Sequence, residues 1–293
     1  MDKMSQYMLV AALIALAIAS VFYVWEIFGR RALATARVAP AAGPGAQAAV
    51  LTDDLGTGKY ASLLAWNALA FLTLWMVFRA IYTGHGPFSN MHEFAAAFAW
   101  GIVAAYLYAE VRTGVRAIGA VVIPAALAVL WYASTISPDA APLVPALQNN
   151  LLLTAHVAVS IVAYGTFAVS FGAAVLYLLR DHVPAGILPD ANVLDDVGYR
   201  SITVGFPFMA LVIVLGALWA DVAWGAYWSW DPKETASLVT WLIYGGYLHA
   251  RTLRGWKGDR SAALLVLGFA AVLFTYFGNL FFGGLHSYAG LGR

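Results

Sequence analysis

The chain has 293 residues, 62% hydrophobic and 11% charged, with a mean hydropathy of +0.77. Soluble domains carry about 25% charged residues, so this much apolar surface cannot be hidden inside a soluble fold and belongs in a bilayer. A formal net charge of +1 argues against nucleic-acid binding. The lack of cysteine excludes disulfides, thiolate ligands, redox pairs and a Cys-x-x-Cys-His haem attachment site, leaving His, carboxylates and Met for metal-linked chemistry.

Apolar runs predict transmembrane helices at Met8–Phe28, Ser62–Tyr82, Met91–Ala109, Ala117–Ala133, Asn149–Leu179, Ser201–Ala220, Pro232–Leu253 and Ala262–Phe282. The expected fold is an all-α integral membrane protein of about eight spans, because backbone polar groups in lipid must pair within the segment. The first run has two readings. Lys3 precedes it and Ala17-Ile-Ala-Ser20 resembles a signal-peptide cleavage site. The run continues past that site, however, and Arg30, Arg31 and Arg37 follow, which favours an uncleaved span with its N-terminus outside. The inner loop Gly29–Ala61, with Ala39-Pro-Ala-Ala-Gly-Pro-Gly45, reads as flexible and sets residues 1–61 apart from 62–293. Ser137-Pro-Asp-Ala-Ala-Pro142 and Pro145 read as outer turns with an interfacial helix, and Asp181–Arg200 as a second inner loop. On this topology the inner loops hold 12 of the 16 Lys and Arg residues, and Lys3, Arg79, Lys233 and Arg293 lie outside. That bias puts both termini on the outer side.

The densest feature joins the sixth and seventh runs: Trp224-Gly-Ala-Tyr227-Trp228-Ser-Trp230-Asp231-Pro-Lys-Glu-Thr235. Asp231-Pro232-Lys233-Glu234 is a helix-start signal, with Asp at the N-cap, Pro at the first helical position and Glu as capping-box partner. The four aromatics are open to two readings. Trp and Tyr are enriched in interfacial belts, and crowded aromatics also make a flat face for a flat ligand.

Histidines bear on that choice, since an ionisable residue in a membrane helix defaults to a functional hypothesis. His156 lies seven residues into the fifth run, about 10 Å from its outer start. His286 follows the eighth run on the same side. Histidine is a common axial ligand of haem iron and aromatic walls suit a porphyrin, so a haem between the two, along the Trp loop, is coherent. A hydrogen-bonded interfacial histidine remains open for each. His249 lies about 26 Å beyond Pro232, towards the inner leaflet. It is either a deeper ligand or a side chain snorkelling beside Arg251 and Arg254. His85 and His92 read as exposed loop residues and His182 as solvated. No P-loop, zincin or nucleophile-elbow motif is present.

The Trp224–Thr235 stretch resembles the tryptophan-rich WWD signature of haem-handling proteins in cytochrome c maturation. Its ending, Trp-Asp-Pro-Lys-Glu-Thr, looks most like the CcsA (ResC) branch of the System II pathway. Gly278-Asn-Leu-Phe-Phe-Gly-Gly-Leu-His-Ser-Tyr288 and Gly84-His-Gly-Pro-Phe-Ser-Asn90 are similar to that branch's terminal and early segments. Ser229 stands where many relatives have Gly, and His92 where the pattern has Tyr. The resemblance implies that residues 62–293 form a haem-handling domain in a bacterial cytoplasmic membrane, with the loop on the extracytoplasmic side.

It further implies a non-covalent b-type haem in transit, with His156 and His286 as outer axial ligands and His249 at an inner site. Trp224, Tyr227, Trp228, Trp230 and Asp231 complete the expected haem-binding set, and Lys233 is a candidate partner for a propionate. The implied partners are a CcsB/ResB-like membrane protein, which would supply the second ligand at His249, and apocytochrome c. The implied function is conveying haem outward and attaching it to the Cys-x-x-Cys-His thiols as a cytochrome c synthase subunit. No catalytic acid or base can be named. The alternatives are a CcmC-like handler that only loads a haem chaperone, and a small-molecule transporter with an aromatic gate. The latter predicts internal repeats or broken helices, and the sequence shows neither.

Overall fold

The computed structural model describes residues 1–38, 56–139, 150–278 and 281–286. Among these it is an antiparallel helical bundle: α1 Asp2–Val38, α2 Thr57–Thr83, α3 Met91–Thr113, α4 Gly119–Ser134, α5 Asn150–Leu179, α6 Ala191–Trp224, α7 Pro232–Arg254 and α8 Asp259–Phe277. Seven of these helices are long and apolar enough to cross a membrane; α7 falls short. Helix α7 is more polar, with Lys233, Glu234, His249, Arg251 and Arg254 towards its ends and Thr240, Tyr244 and Tyr247 buried in the bundle interior.

The predicted spans meet the observed helices closely at α3, α4, α5 and α7. Two differ. Helix α6 starts ten residues before the predicted Ser201, so the second half of Asp181–Arg200 is helix and not an inner loop. Its first turns are amphipathic, with Leu194 and Val197 buried and Asp196 and Arg200 paired at 2.7 Å on the surface. Helix α8 ends at Phe277, short of the predicted Phe282. The inner loop is also shorter than expected, since α1 runs to Val38 and α2 begins at Thr57; its Pro/Gly-rich stretch lies outside the described residues. So does most of the expected interfacial helix after α4.

Consecutive helices pair as hairpins, α1 with α2, α3 with α4, α5 with α6 and α7 with α8. Helix α5 is the central post and touches α3, α6 and α8. Its crossing with α3 depends on Gly101 and Gly165, because a Cβ on Gly165 would lie 2.5 Å from the Gly101 carbonyl oxygen. Small residues that let backbones approach are the usual packing device where lipid removes the hydrophobic drive between helices.

The two ends of the bundle differ. The end bearing Trp224–Asp231, hereafter the loop end, holds a buried pair in which Arg79 Nε donates to Glu93 Oε1 at 2.7 Å. Glu93 Oε2 accepts from the Ser89 N–H and hydroxyl, both at 2.7 Å, and Asn90 caps α3. Arg79 is thus an internal clamp for the 84–90 turn. At the opposite end Glu110 accepts from Tyr23, at 2.8 Å, and from Ser62, while Arg116 sits 3.4 Å away. There too Arg251 grips Asp195 with two hydrogen bonds of 2.6 Å, joining α7 to the start of α6.

Candidate functional site

Helix α6 ends at Trp224, capped by Gly225 in the left-handed region (φ 77). The chain then turns through Trp230, itself left-handed at φ 59, an uncommon conformation for a bulky residue. Glu234 holds that turn in place. Its Oε2 accepts from the Ser229 N–H at 2.8 Å and the Asp231 N–H at 3.2 Å, closing the capping box read from the sequence.

Asp231 does more than cap. Its carboxylate is 6% exposed and accepts three hydrogen bonds. Oδ1 takes the Lys233 N–H at 2.9 Å and His286 Nδ1 at 2.8 Å, and Oδ2 takes the Leu285 N–H at 2.6 Å. Burial alone would push this carboxyl up. The hydrogen bond and charge of His286 and the two backbone donors outweigh it and hold Asp231 at about 2. Burial pushes the His286 ring below its ordinary value in spite of the carboxylate. An ionised carboxylate can only accept, so the ring donates its Nδ1 proton to it, and Nε2 is the nitrogen that this bond does not engage.

His156, on α5, and His286, after α8, line one cavity with Tyr227, Trp228 and Lys233. One indole, Trp219 of α6, neighbours both imidazoles. It lies nearly parallel to His156 (16°, centroids 6.5 Å apart) and 5.8 Å from His286. Trp224 meets His286 edge-on at 4.8 Å and Trp219 at 4.7 Å. Gly216, one turn before Trp219, makes room for His156: a Cβ there would come within 2.9 Å of the imidazole Cε1.

The residue chemistry suits an iron porphyrin. Two imidazoles converge, and His156 Nδ1 is buried with no hydrogen-bond partner of acceptable geometry among the described residues. Lys233 reaches into the same cavity, its Nζ 6.0 Å from the Phe94 ring centre. The cavity measures about 100 Å³, below the roughly 300–1,000 Å³ of ligand pockets. Admitting a ring therefore requires wall side chains to move, and Tyr227, 58% exposed, is the lining residue least constrained by packing.

The structure thus brings together His156, His286, Trp224, Tyr227, Trp228 and Asp231, but not as one flat shelf. Trp224 buttresses His286, Tyr227 and Trp228 line the cavity, and Trp230 stands outward, perpendicular to Trp228. His249 is apart from them, exposed on the flank of α7 towards the opposite end. His92 corrects the sequence reading: it is buried at 3% exposure on α3, its Nδ1 2.8 Å from the Ala133 carbonyl oxygen and its ring edge-on to Trp75. His85 is partly exposed, as a turn residue should be. Sequence reasoning missed Trp219 and Gly216. Their only signal was the helical spacing that carries Gly216, Trp219, Ala220 and Ala223 along the inward side of α6.

Residues 88–286 match the family model described as cytochrome C assembly protein. The chain belongs to the cytochrome c assembly protein family. Among curated relatives it is similar to the cytochrome c biogenesis protein CcsA of Guillardia theta, 39% identical over 76% of this chain and 84% of the relative. CcsA of Gloeobacter violaceus is 35% identical, covering 82% and 88%. CcsA of Synechococcus elongatus is 37% identical, covering 72% and 81%. Among solved structures it resembles the cytochrome c haem lyase CcmF in fold, with a TM-score of 0.62 at 17% identity. That likeness covers 92% of this chain and 46% of CcmF. As a CcsA-type cytochrome c assembly protein, the chain acts in cytochrome c biogenesis at a membrane, which accounts for its apolar helices.

Proposed function

We propose that this chain holds haem between His156 and His286 and presents it to apocytochrome c at the extracytoplasmic face. The observation that carries the reading is the convergence of two imidazoles, from α5 and from the segment after α8, on one cavity roofed by the aromatic loop. Haem is the cargo, and its vinyl groups are what the thiols of a Cys-x-x-Cys-His segment add to. The chain's own part is positioning. His156 and His286 would hold the iron, Tyr227 and Trp228 would cover the ring, and Lys233 would meet a propionate. Fixing the ring while the thiols approach turns an encounter of two molecules into a local one, an effect that supplies much of the barrier lowering in such reactions.

The orientation rests on charge. Arg112, Arg116, Arg180, Arg200, Arg251 and Arg254 gather at the opposite end of the bundle, which the positive-inside rule assigns to the cytoplasm. His249, exposed on the flank of α7 at that end, suits an inner haem position completed by a CcsB/ResB-like partner.

The test is an absorption spectrum of the protein purified from haem-replete membranes. A Soret band is expected, non-covalent in pyridine extracts and lost when His156 and His286 are both replaced by Ala. A colourless wild-type protein that stays colourless with added haem, or a double variant that keeps its band, would overturn the outer-site reading.

A further inference from the structure

We propose that Asp231 is a positioning residue for His286: it fixes the ring in the tautomer that presents Nε2 and strengthens that nitrogen as an iron ligand. This rests on the reading of His286 as an axial ligand. The carboxylate is built for the purpose. It sits at 2.8 Å from Nδ1, is held by two further N–H donors from different segments, and is almost fully shielded from solvent. Metal-bound imidazoles characteristically give their second N–H to such an acceptor, which sets ring orientation and ligand basicity. Here that acceptor is also the N-cap of α7 and the last residue of the aromatic loop before the helix. One side chain therefore ties the loop, the helix start and the segment carrying His286 into a single unit. The proposal assigns Asp231 a different task from the haem contact expected of it in the sequence.

The two roles of Asp231 separate by substitution. Asn caps a helix as well as Asp does, so Asp231→Asn should keep α7 while removing the carboxylate from His286. Glu234→Gln weakens the loop closure and removes a nearby negative charge, but leaves the Asp231 carboxylate on His286. In the haem-free protein, ring nitrogen NMR with the His286→Ala spectrum as reference should show His286 as the Nδ1–H tautomer, and Asp231→Ala, which leaves no acceptor, should lose that preference. In the haem-loaded protein, Asp231→Asn should raise the haem midpoint potential and lower haem affinity by about 10–100-fold, the usual effect of removing such a support. Glu234→Gln should shift the potential less than Asp231→Asn does. If Asp231→Ala leaves the tautomer and Asp231→Asn the potential and affinity as in wild type, or if Glu234→Gln shifts the potential equally, Asp231 is a helix cap only. If His286→Ala keeps its haem with an unaltered spectrum, the axial-ligand reading fails and the proposal with it. Asp231→Glu, which keeps the charge, should restore part of the potential.

Discussion

Gly216 shows how much a single missing methyl group governs this site. His156 lies where a Cβ on residue 216 would approach Cε1 to 2.9 Å. The imidazole is the mobile end of a side chain, so Gly216→Ala should spare the helix and displace the ligand. Misfits of this kind cost about 1–3 kcal/mol, which reads as roughly a 5- to 150-fold loss of haem affinity if it falls on the ligand. Titration of the purified variant with haem checks this, with circular dichroism expected to match wild type. Unchanged affinity would mean that His156 ligates from a different rotamer. At this scale the sequence was only partly legible. The capping box at Asp231 could be read from Asp-Pro-Lys-Glu, because caps are local. The hydrogen bond from Asp231 to His286 could not, since 55 residues separate the two. Nor could the burial of His92, whose partner is a backbone carbonyl on another helix.

At the scale of helices, legibility followed apolarity. Runs such as α5 declared themselves because every turn is greasy and the helix is buried by neighbours on several sides. The start of α6 did not, because its charges are what a loop would show. Those charges turn out to be structural. Asp195 and Arg251 are 13% and 11% exposed and face each other in a two-pronged bond. Removing one member of a buried pair costs about 3–5 kcal/mol; some exposure at this rim puts Asp195→Ala at the lower end. The expected result is a fall in thermal stability in detergent, with the Asp195→Ala/Arg251→Met double variant recovering part of it. Equal stability of the single variant and wild type would show the pair to be idle. The same helix carries Trp219 at its other end, so a loosened α6 start should be felt weakly, if at all, at the histidines.

For the molecule as a whole, the absence of cysteine makes the orientation directly measurable. A cysteine introduced at Tyr227 should react with an impermeant maleimide in intact cells, and one at Lys257 only after the membrane is opened. The reverse pattern would place the aromatic loop in the cytoplasm and end the assignment of an outer site. The fold class and the number of long helices could be anticipated because lipid permits few solutions for a spanning backbone. The meeting of α5, α6 and the segment after α8 around one cavity could not, because it is fixed by packing partners that no local pattern encodes.

Among the described helices, α7 is the long one that is too polar to rank as a membrane span by itself. Thr240 is fully buried and shares a 3.1 Å hydrogen bond with Thr275 of α8, and Tyr244 fits against Gly268 of the same helix. Thr240 also donates to the Ala236 carbonyl of its own helix at 2.9 Å, but its second contact and the cover over the Tyr244 ring come only with α8. During biosynthesis, then, α7 should leave the insertion machinery reluctantly and settle in lipid only as a helical hairpin with α8. The loop and its capping carboxylate would reach their final side of the membrane late, in the same event that delivers His286. A chain interrupted before α8 would lack more than one ligand: the helix that anchors the whole aromatic loop would have no stable place in the bilayer.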